Sequence, residues 1–189
     1  MAQSEYQLTL PVRTETDDDP AIAATLGKVK AELGRIPGLY ARMANVPGLF
    51  ETYRTGYDAF RRESGFSPAE QQVVLLAISR SNRCTYCVAV HSAMADGAKV
   101  PSEVTDAIRD GETVPDARLG TLARFTMTMV ETRGLPCRAD VEVFLAAGFE
   151  ERDILQILLA IAVKTISNYT NHLFHTPLEP ALSHRAWQD

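Results

Sequence analysis

From residue 19 onward, apolar residues recur at the spacing of α-helices, and this periodicity is the strongest constraint on the fold. The first run steps by four, three and four residues along one helix face: Ile22, Leu26, Val29 and Leu33. Asp18 or Asp19 can cap this helix, with Pro20 at its first position, where a missing N–H costs nothing. Similar caps, apolar faces and glycine or proline stops recur to about Phe174. The sequence therefore predicts an all-α fold of about eight or nine helices.

No internal repeat, low-complexity tract or long linker divides the chain, so residues 19–189 are predicted to form one helical domain. Residues 1–18 differ, because apolar side chains there alternate with polar ones: Tyr6, Leu8, Leu10 and Val12. A period of two is compatible with a strand or with an extended segment that lies on another surface. A lone strand has no partner in a helical protein, so we expect an extended N-terminal arm.

The composition excludes several classes of function. The chain has 24 acidic and 19 basic residues, a net charge of −5, and no basic run of the kind that binds nucleic acid. It contains no apolar stretch of about 18 residues that could span a membrane. Its first residues lack the basic and apolar regions of a secretory signal, so the cytoplasm is the expected compartment.

The segment from Asn82 to His91 contains the residues best suited to chemistry. Cys84 and Cys87 lie three residues apart and His91 follows four residues later, so on a helix all three side chains share one face. A helix N-terminus lowers the pKa of a thiol held there, and the thiolate is the reactive form. Two such thiols beside a base predict a redox-active pair, in which one thiolate attacks an oxidant and the other cysteine closes a disulfide.

The residues alone leave open which thiol attacks. A position in the first turn of the helix favours Cys84. The spacing to His91 favours Cys87, because proton removal needs a base within hydrogen-bond reach.

Two other interpretations of this segment compete with the redox hypothesis. Cys84 and Cys87 could be ordinary buried cysteines, which is common for free thiols. They could also bind zinc together with His91, and His172 or His175 would then supply the fourth ligand. Structural zinc sites usually place such a pair in a turn, with the other ligands on a separate element. We therefore predict neither a metal nor another cofactor.

Polar residues elsewhere receive weaker interpretations. Cys137 has no acid–base neighbour in the sequence, which favours an inert loop or surface thiol. The last long helix has polar residues at helical spacing: Lys164, Asn168, Asn171, His172 and His175. Such a stripe is usually a solvated face, and this is the preferred interpretation. Because the helix is otherwise strongly apolar, a pocket lining or an oligomer contact is the alternative.

The segment 67–91 as a whole resembles the signature of the carboxymuconolactone decarboxylase family, and more closely that of its AhpD-like alkylhydroperoxidase branch. The mark of that branch is a CxxCxxxH motif preceded by a helix that ends in a Ser-x-x-Asn segment. Here these are the residues from Cys84 to His91 and from Ser79 to Asn82. A looser likeness extends to residues 36–40, 43–45, 146–149 and 168–172.

This resemblance implies a helical subunit that assembles into homotrimers or homohexamers, with the cysteine pair near a subunit contact. It also implies a thiol peroxidase or disulfide reductase that acts on organic hydroperoxides. In that branch the second cysteine, here Cys87, attacks, Cys84 resolves the intermediate and His91 belongs to a proton relay. We expect an external thiol or a dihydrolipoyl-type donor to restore the pair.

The chain departs from the branch at two positions. The relay glutamate of the branch lies twelve residues before the first cysteine, where this chain has Gln72. An amide cannot accept and release a proton at neutral pH. Tyr86 stands between the cysteines, where the reference enzymes carry histidine. Neither change removes the two thiols, so dithiol chemistry is still expected. The alternative function is that of a non-catalytic metal-binding or redox-sensing oligomer on the same scaffold.

Overall fold

The computed structural model describes residues 4–188; Met1–Gln3, the start of the predicted arm, and Asp189 lie outside the described residues. Within that range it has nine α-helices, one 3₁₀ helix and no strand, which confirms the predicted all-α, single-domain fold. The same range contains no helix that is both long enough and apolar enough to span a membrane. The helices are α1 (Pro20–Leu33), α2 (Gly38–Met43), α3 (Pro47–Glu63), α4 (Pro68–Ser81), α5 (Thr85–Gly97), α6 (Ser102–Asp110), α7 (Ala117–Glu131), α8 (Arg138–Ala146) and α9 (Glu151–Phe174), followed by the 3₁₀ helix (Pro180–Arg185).

Local sequence determines where several helices begin. The side chain of Asp19 accepts hydrogen bonds from the first backbone N–H groups of α1, and Pro20 opens that helix. Ser67 and Glu70 form a reciprocal capping box at the start of α4. Both helix starts agree with the sequence analysis.

The centre of the molecule is α4, which packs against α5, α6, α7 and α9. Every residue of α4 from Gln71 to Ser79 is buried. Most of its apolar side chains join a large apolar cluster that includes stacked rings of Phe125, Phe144 and Phe149, with centroid separations of 4.2 and 4.5 Å. This cluster provides the main apolar core of the fold.

The cysteine pair belongs to a second, smaller cluster between α1, α2, α3, α5 and α9. We call it the thiol cluster, and its buried members are Val29, Leu39, Met43, Phe50, Tyr53, Cys84, Tyr86, Cys87 and Val163. The helices α3 and α9 approach closely here, because a Cβ at Gly56 would lie 2.6 Å from Cγ1 of Val163. The close approach turns one face of α9 towards the interior, next to the thiols.

Residues 4–19 contain no helix and lie on the ends of α2 and α9. The backbone N–H of Leu8 donates to the carbonyl of Leu173 at 2.8 Å, and that of Arg13 donates to the carbonyl of Ala41 at 2.9 Å. These bonds hold the segment against the helices without a β-ladder.

Candidate active site

The cysteine pair lies at the N-terminus of α5. Cys84 is the N-cap of this helix, one residue before the first turn in which the sequence analysis placed it. Its Sγ accepts a hydrogen bond from the backbone N–H of Cys87 at 3.4 Å, so the sulfur itself satisfies one of the unpaired N–H groups of the helix start. Both thiols are free and buried, with exposed fractions of 1% for Cys84 and 2% for Cys87.

The surroundings of Cys87 favour its thiolate. Burial alone would raise its pKa, but the hydrogen bond from Cys84, the charge of Lys164 and the amide of Asn171 outweigh burial and lower the pKa to about 6. Nδ2 of Asn171 donates to Sγ of Cys87 at 3.2 Å. For Cys84, burial and the hydrogen bond to Cys87 raise the pKa well above its ordinary value. At neutral pH, Cys87 is therefore a thiolate and Cys84 is a thiol.

His91 is buried one turn after Cys87 and bonds to two other side chains. Its Nδ1 lies 3.1 Å from Oε1 of Gln72, and its Nε2 lies 2.8 Å from Nζ of Lys164. An amide oxygen only accepts, so Nδ1 carries the hydrogen and Nε2 accepts from the ammonium. Burial, together with the charges of Lys164 and Arg61, lowers the pKa of His91 well below its ordinary value, so the ring is neutral. The structure thus brings Gln72, which stands where the resembled branch has its relay glutamate, into contact with His91.

The polar stripe of α9 is buried where it faces α4 and α5, so the preferred interpretation as a solvated face was wrong there. Lys164, Asn168 and Asn171 are 1%, 0% and 4% exposed. Asn168 accepts a hydrogen bond from Nδ2 of Asn82 at 2.9 Å. Lys164 and Asn171 contact His91 and Cys87, as described above. Sequence reasoning did not assign these two residues to the site, although a polar stripe on an apolar helix was the signal that could have done so.

Within residues 4–188, the hydrogen bonds of the two sulfurs do not include the histidines at the end of α9. His172 is half-buried, and Nε2 of His175 bonds to the carbonyl of Ser4 in the arm at 2.8 Å. Residues 4–188 contain no group of three or more Cys, His, Asp and Glu side chains placed to hold a metal ion.

Tyr86 contacts a carboxylate. Its hydroxyl donates to Oε1 of Glu179 at 2.9 Å, just before the 3₁₀ helix. Burial, followed by the charge of Glu179, raises the pKa of Tyr86, so the phenol keeps its proton.

The apolar side chains around the sulfurs are those of the thiol cluster. Val73 and Leu76 of α4 and Val88 of α5 belong to the large apolar cluster. Side chains of α2, α3 and α9 pack around the thiols: Leu39, Met43, Phe50, Tyr53 and Val163.

Cys137 takes no part in this site. It is exposed and is the N-cap of α8.

Comparison with known proteins supports the family resemblance. The model of the carboxymuconolactone decarboxylase family matches residues 47–117, from the start of α3 to the start of α7. This segment includes Gln72, Cys84, Cys87 and His91. None of the curated proteins matches the chain.

Solved structures share the fold of almost the whole chain. The alkylhydroperoxidase AhpD core of an uncharacterized peroxidase-related protein from Ralstonia eutropha JMP134 is 20% identical, with a TM-score of 0.80 over 95% of this chain and 97% of that chain. An uncharacterized peroxidase-related protein from Silicibacter sp. TM1040 is 21% identical, with a TM-score of 0.78 over 96% of each chain. A variant of the debrominase Bmp8 in complex with 2,3,4-tribromopyrrole is 14% identical, with a TM-score of 0.72 over 96% of this chain and 97% of that chain.

At these identities the structural likeness shows the fold alone, while the family model covers the segment that holds both cysteines. The two findings confirm the resemblance drawn from residues 67–91. Residues 47–117 of this protein thus match the carboxymuconolactone decarboxylase family, and the chain shares the fold of AhpD-like peroxidase-related proteins.

Proposed function

We propose that this protein is a dithiol oxidoreductase that reduces organic hydroperoxides, with Cys87 as the attacking thiolate and Cys84 as the resolving thiol. The observation that carries the proposal is the surroundings of Cys87. Its buried sulfur has a pKa lowered to about 6, next to a second thiol, an ammonium and an amide donor. A thiolate present at neutral pH is the nucleophile that peroxide reduction requires.

The reaction has two steps. The Cys87 thiolate attacks the terminal oxygen of the hydroperoxide and the O–O bond breaks, so the sulfur becomes a sulfenic acid and the alkoxide leaves, taking a proton to form the alcohol. The sulfur of Cys84 then attacks that of Cys87, and the S–O bond breaks. The products of this step are the Cys84–Cys87 disulfide and water. His91, which Gln72 holds in orientation, assists the proton transfers through its bond to Lys164.

An external dithiol of the dihydrolipoyl type, or another thiol, completes the cycle by thiol–disulfide exchange. Two electrons pass to the disulfide, Cys84 takes up one proton and Cys87 returns to the thiolate. The second proton of the donor dithiol goes to solvent as the donor becomes a disulfide. We place the cycle in the cytoplasm, where thiols are kept reduced.

The apolar walls favour an organic hydroperoxide over a strongly hydrated one. Leu39, Met43, Phe50 and Tyr53 lie in the same cluster as both sulfurs, and burial of an alkyl or aryl group against them is favourable. The peroxidase-related proteins that share the fold support this reaction type.

The second candidate is a redox-sensing or metal-binding oligomer that uses the same residues without turnover. The buried dithiol is compatible with a sensor. A metal fits less well, because the ammonium of Lys164 occupies the Nε2 side of His91, where a ligand bond would have to form.

We also propose that the protein assembles into homotrimers or homohexamers. The supporting observation is an exposed apolar surface on α9: Leu155, Leu158, Tyr169 and Leu173. Light scattering coupled to size-exclusion chromatography tests this assembly, and a monomer at micromolar concentration would contradict it.

Steady-state consumption of cumene hydroperoxide, with dihydrolipoamide as the reductant, tests the proposed function. The wild type and the Cys137→Ser control should turn over at the same rate, whereas Cys87→Ser should fall to the uncatalysed rate. Equal rates for the wild type and Cys87→Ser would contradict the mechanism. A dithiol that becomes oxidised once and is not re-reduced would favour the sensor.

A further inference from the structure

The structure buries one ammonium group next to the thiols without a carboxylate to balance it. Lys164 is 1% exposed, and a lysine is almost never buried so completely unless it is paired. The ion pairs of the described residues give Lys164 no acidic partner, and its Nζ donates to Nε2 of His91 at 2.8 Å. A neutral imidazole accepts a hydrogen bond but does not neutralise a charge. The compensating negative charge must come from another group.

Cys87, as a thiolate, is the group of the site that can carry that charge. Lys164 bonds to His91, one turn after Cys87 on α5, and lies two turns before Asn171, whose amide bonds to the sulfur of Cys87. In agreement with this placement, the charge of Lys164 lowers the pKa of Cys87 and opposes the rise at Cys84. The other polar groups that face Cys87 are the amides of Asn168 and Asn171, together with the phenols of Tyr53 and Tyr86. Arg61 faces His91 from α3. No carboxylate is among these groups.

His91 is held in a state that makes it an acceptor for Lys164. Gln72 takes the hydrogen of Nδ1 at 3.1 Å, which leaves the lone pair of Nε2 directed at Nζ of Lys164. Both ring nitrogens are therefore engaged, and His91 orients the ammonium instead of removing the proton of Cys87.

We propose that Lys164 is the counter-charge of the Cys87 thiolate and the acid that protonates the departing alkoxide, with His91 and Gln72 as positioning residues. This inference rests on the proposed function, because it names the proton donor of that reaction.

The reduced site holds as many protons as this assignment requires for the alcohol and the water. The site holds two transferable protons, one on the thiol of Cys84 and one on the ammonium of Lys164. The alkoxide released by Cys87 takes the proton of Lys164, which leaves the alcohol and a neutral amine. When Cys84 attacks the sulfenic acid, its proton leaves with the hydroxyl group as water. The amine then recovers a proton from solvent, and the disulfide remains.

A comparison of two oxidants tests the proton donor. On a Cys137→Ser background, the rate of Cys87 oxidation is measured in single turnovers with cumene hydroperoxide and with peracetic acid. The first oxidant releases a basic alkoxide that needs a proton, whereas the second releases acetate, which needs none. The thiolate fraction affects both rates equally, so it cancels in their ratio.

In Lys164→Met, the rate with peracetic acid relative to that with cumene hydroperoxide should rise about a hundredfold, the usual contribution of a general acid. Lys28→Met makes the same chemical change at an exposed position of α1 and should leave the ratio unchanged. A ratio in Lys164→Met equal to that of the parent would overturn the assignment of the proton donor.

The pH profile of Cys87 alkylation by iodoacetamide tests the counter-charge without any hydroperoxide. Its midpoint in Lys164→Met should rise by about 1–3 pH units, the usual effect of losing a nearby opposite charge. Lys164→Arg keeps the charge but not a releasable proton, so its midpoint should stay near that of the parent while the oxidant ratio still rises. If Lys164→Met does not fold, the oxidant ratio of Lys164→Arg tests the proton donor in its place. An unchanged midpoint in a folded Lys164→Met protein would overturn the counter-charge.

The positioning role of His91 is tested by rescue. In His91→Gln an amide oxygen can still accept from Lys164, so the oxidant ratio should stay closer to that of the parent than in His91→Leu. Equal ratios in these two variants would contradict the role. A parent protein that consumes neither oxidant would refute the proposed function, and the alkylation midpoint would then decide the counter-charge alone.

Discussion

Two helices of this protein begin at a cysteine, but their surroundings differ. Cys84 is the N-cap of α5 and Cys137 is the N-cap of α8, so both stand at the positive end of a helix dipole. Cys84 is buried next to Cys87, whereas Cys137 is exposed. The neighbour of Cys137 is the carboxylate of Asp140, which accepts a hydrogen bond from the backbone N–H of Cys137 at 2.9 Å.

The difference between the two N-termini shows that a helix start alone does not activate a thiol. The pKa of Cys84 is raised, because burial and the hydrogen bond to Cys87 outweigh the charge of Lys164 and the backbone hydrogen bond from Cys87. The activated sulfur is that of Cys87, and α9 supplies the ammonium of Lys164 and the amide of Asn171 that favour its thiolate. The α8 terminus has a carboxylate in their place, which offers a thiolate no stabilisation.

The largest difference between the α5 and α8 termini should appear when each N-cap cysteine is replaced with serine. Cys84→Ser cannot close the disulfide, so Cys87 should stop at the sulfenic acid and turnover through the disulfide should be abolished. Dimedone, added with cumene hydroperoxide, should then label Cys87 in full, as shown by peptide mass mapping. Cys137→Ser should show neither effect. A Cys84→Ser protein that yields no dimedone adduct would remove Cys87 as the attacking thiol.

Removing the amide donor from α9 should make the α5 terminus less reactive. A hydrogen bond to a charged group is worth about 1.5–3 kcal/mol, so Asn171→Ala should raise the pKa of Cys87 by about 1–2 units. Alkylation by iodoacetamide at pH 7 should slow by about two- to tenfold, since the thiolate is the reacting form.

Thr170→Ala is the matched control for the loss of Asn171. Its hydroxyl bonds to the carbonyl of Ile166 at 2.8 Å and not to a sulfur, so the pH midpoint of alkylation should not move. Equal midpoints in the two variants would mean that the amide does not stabilise the thiolate.

The α5 terminus should also make stability depend on pH. The folded pKa of Cys87 is about 6 and its ordinary value is 9.0, so the unfolded chain binds more protons between these values. The free energy of unfolding should therefore rise from about pH 6 to about pH 9, by a few kcal/mol, and this gain is lost as the pH falls through 6. His91 also makes the free energy of unfolding rise with pH below pH 6.5, because its ring is neutral in the folded protein and binds a proton in the unfolded chain. Above about pH 9 the raised pKa of Cys84 acts in the opposite direction.

Urea unfolding of the reduced protein across this pH range measures the effect. Cys87→Ser should flatten the curve between pH 6 and 9, whereas Cys137→Ser should keep its shape. A curve for Cys87→Ser that is parallel to that of the wild type would show that the folded protein does not hold this thiolate.

The α8 terminus should give the smallest effect. Serine is a good N-cap, so Cys137→Ser should leave the free energy of unfolding within about 1 kcal/mol of the wild type or raise it slightly. Hydroperoxide turnover should not change. A clear loss of turnover in this variant would assign Cys137 a role that its position does not support.

Local interactions explain why much of the fold could be predicted from the sequence. Asp19 with Pro20, and Ser67 with Glu70, act within one helical turn, and the structure has both caps. The spacing from Cys84 to Cys87 likewise places both sulfurs at one end of α5. The position of Cys84 differed by one residue, because its sulfur caps the helix it was expected to begin.

The part of the site on α9 could not be predicted because it depends on tertiary packing. Lys164 lies 73 residues from His91 in the sequence, and Asn171 lies 84 residues from Cys87. A stripe of polar residues at helical spacing has the same pattern whether it faces solvent or a buried thiolate. Only the packing of α9 against its neighbours α3, α4 and α5 distinguishes the two, and this packing includes non-local contacts such as Gly56 with Val163.

The intact mass of the reduced protein after one equivalent of cumene hydroperoxide shows directly whether the sulfurs of Cys84 and Cys87 join. We expect a loss of two hydrogen atoms, with the new disulfide mapped to Cys84 and Cys87 and with Cys137 still free. An unchanged mass, or an oxygen atom added at Cys137 while the pair stays reduced, would contradict it.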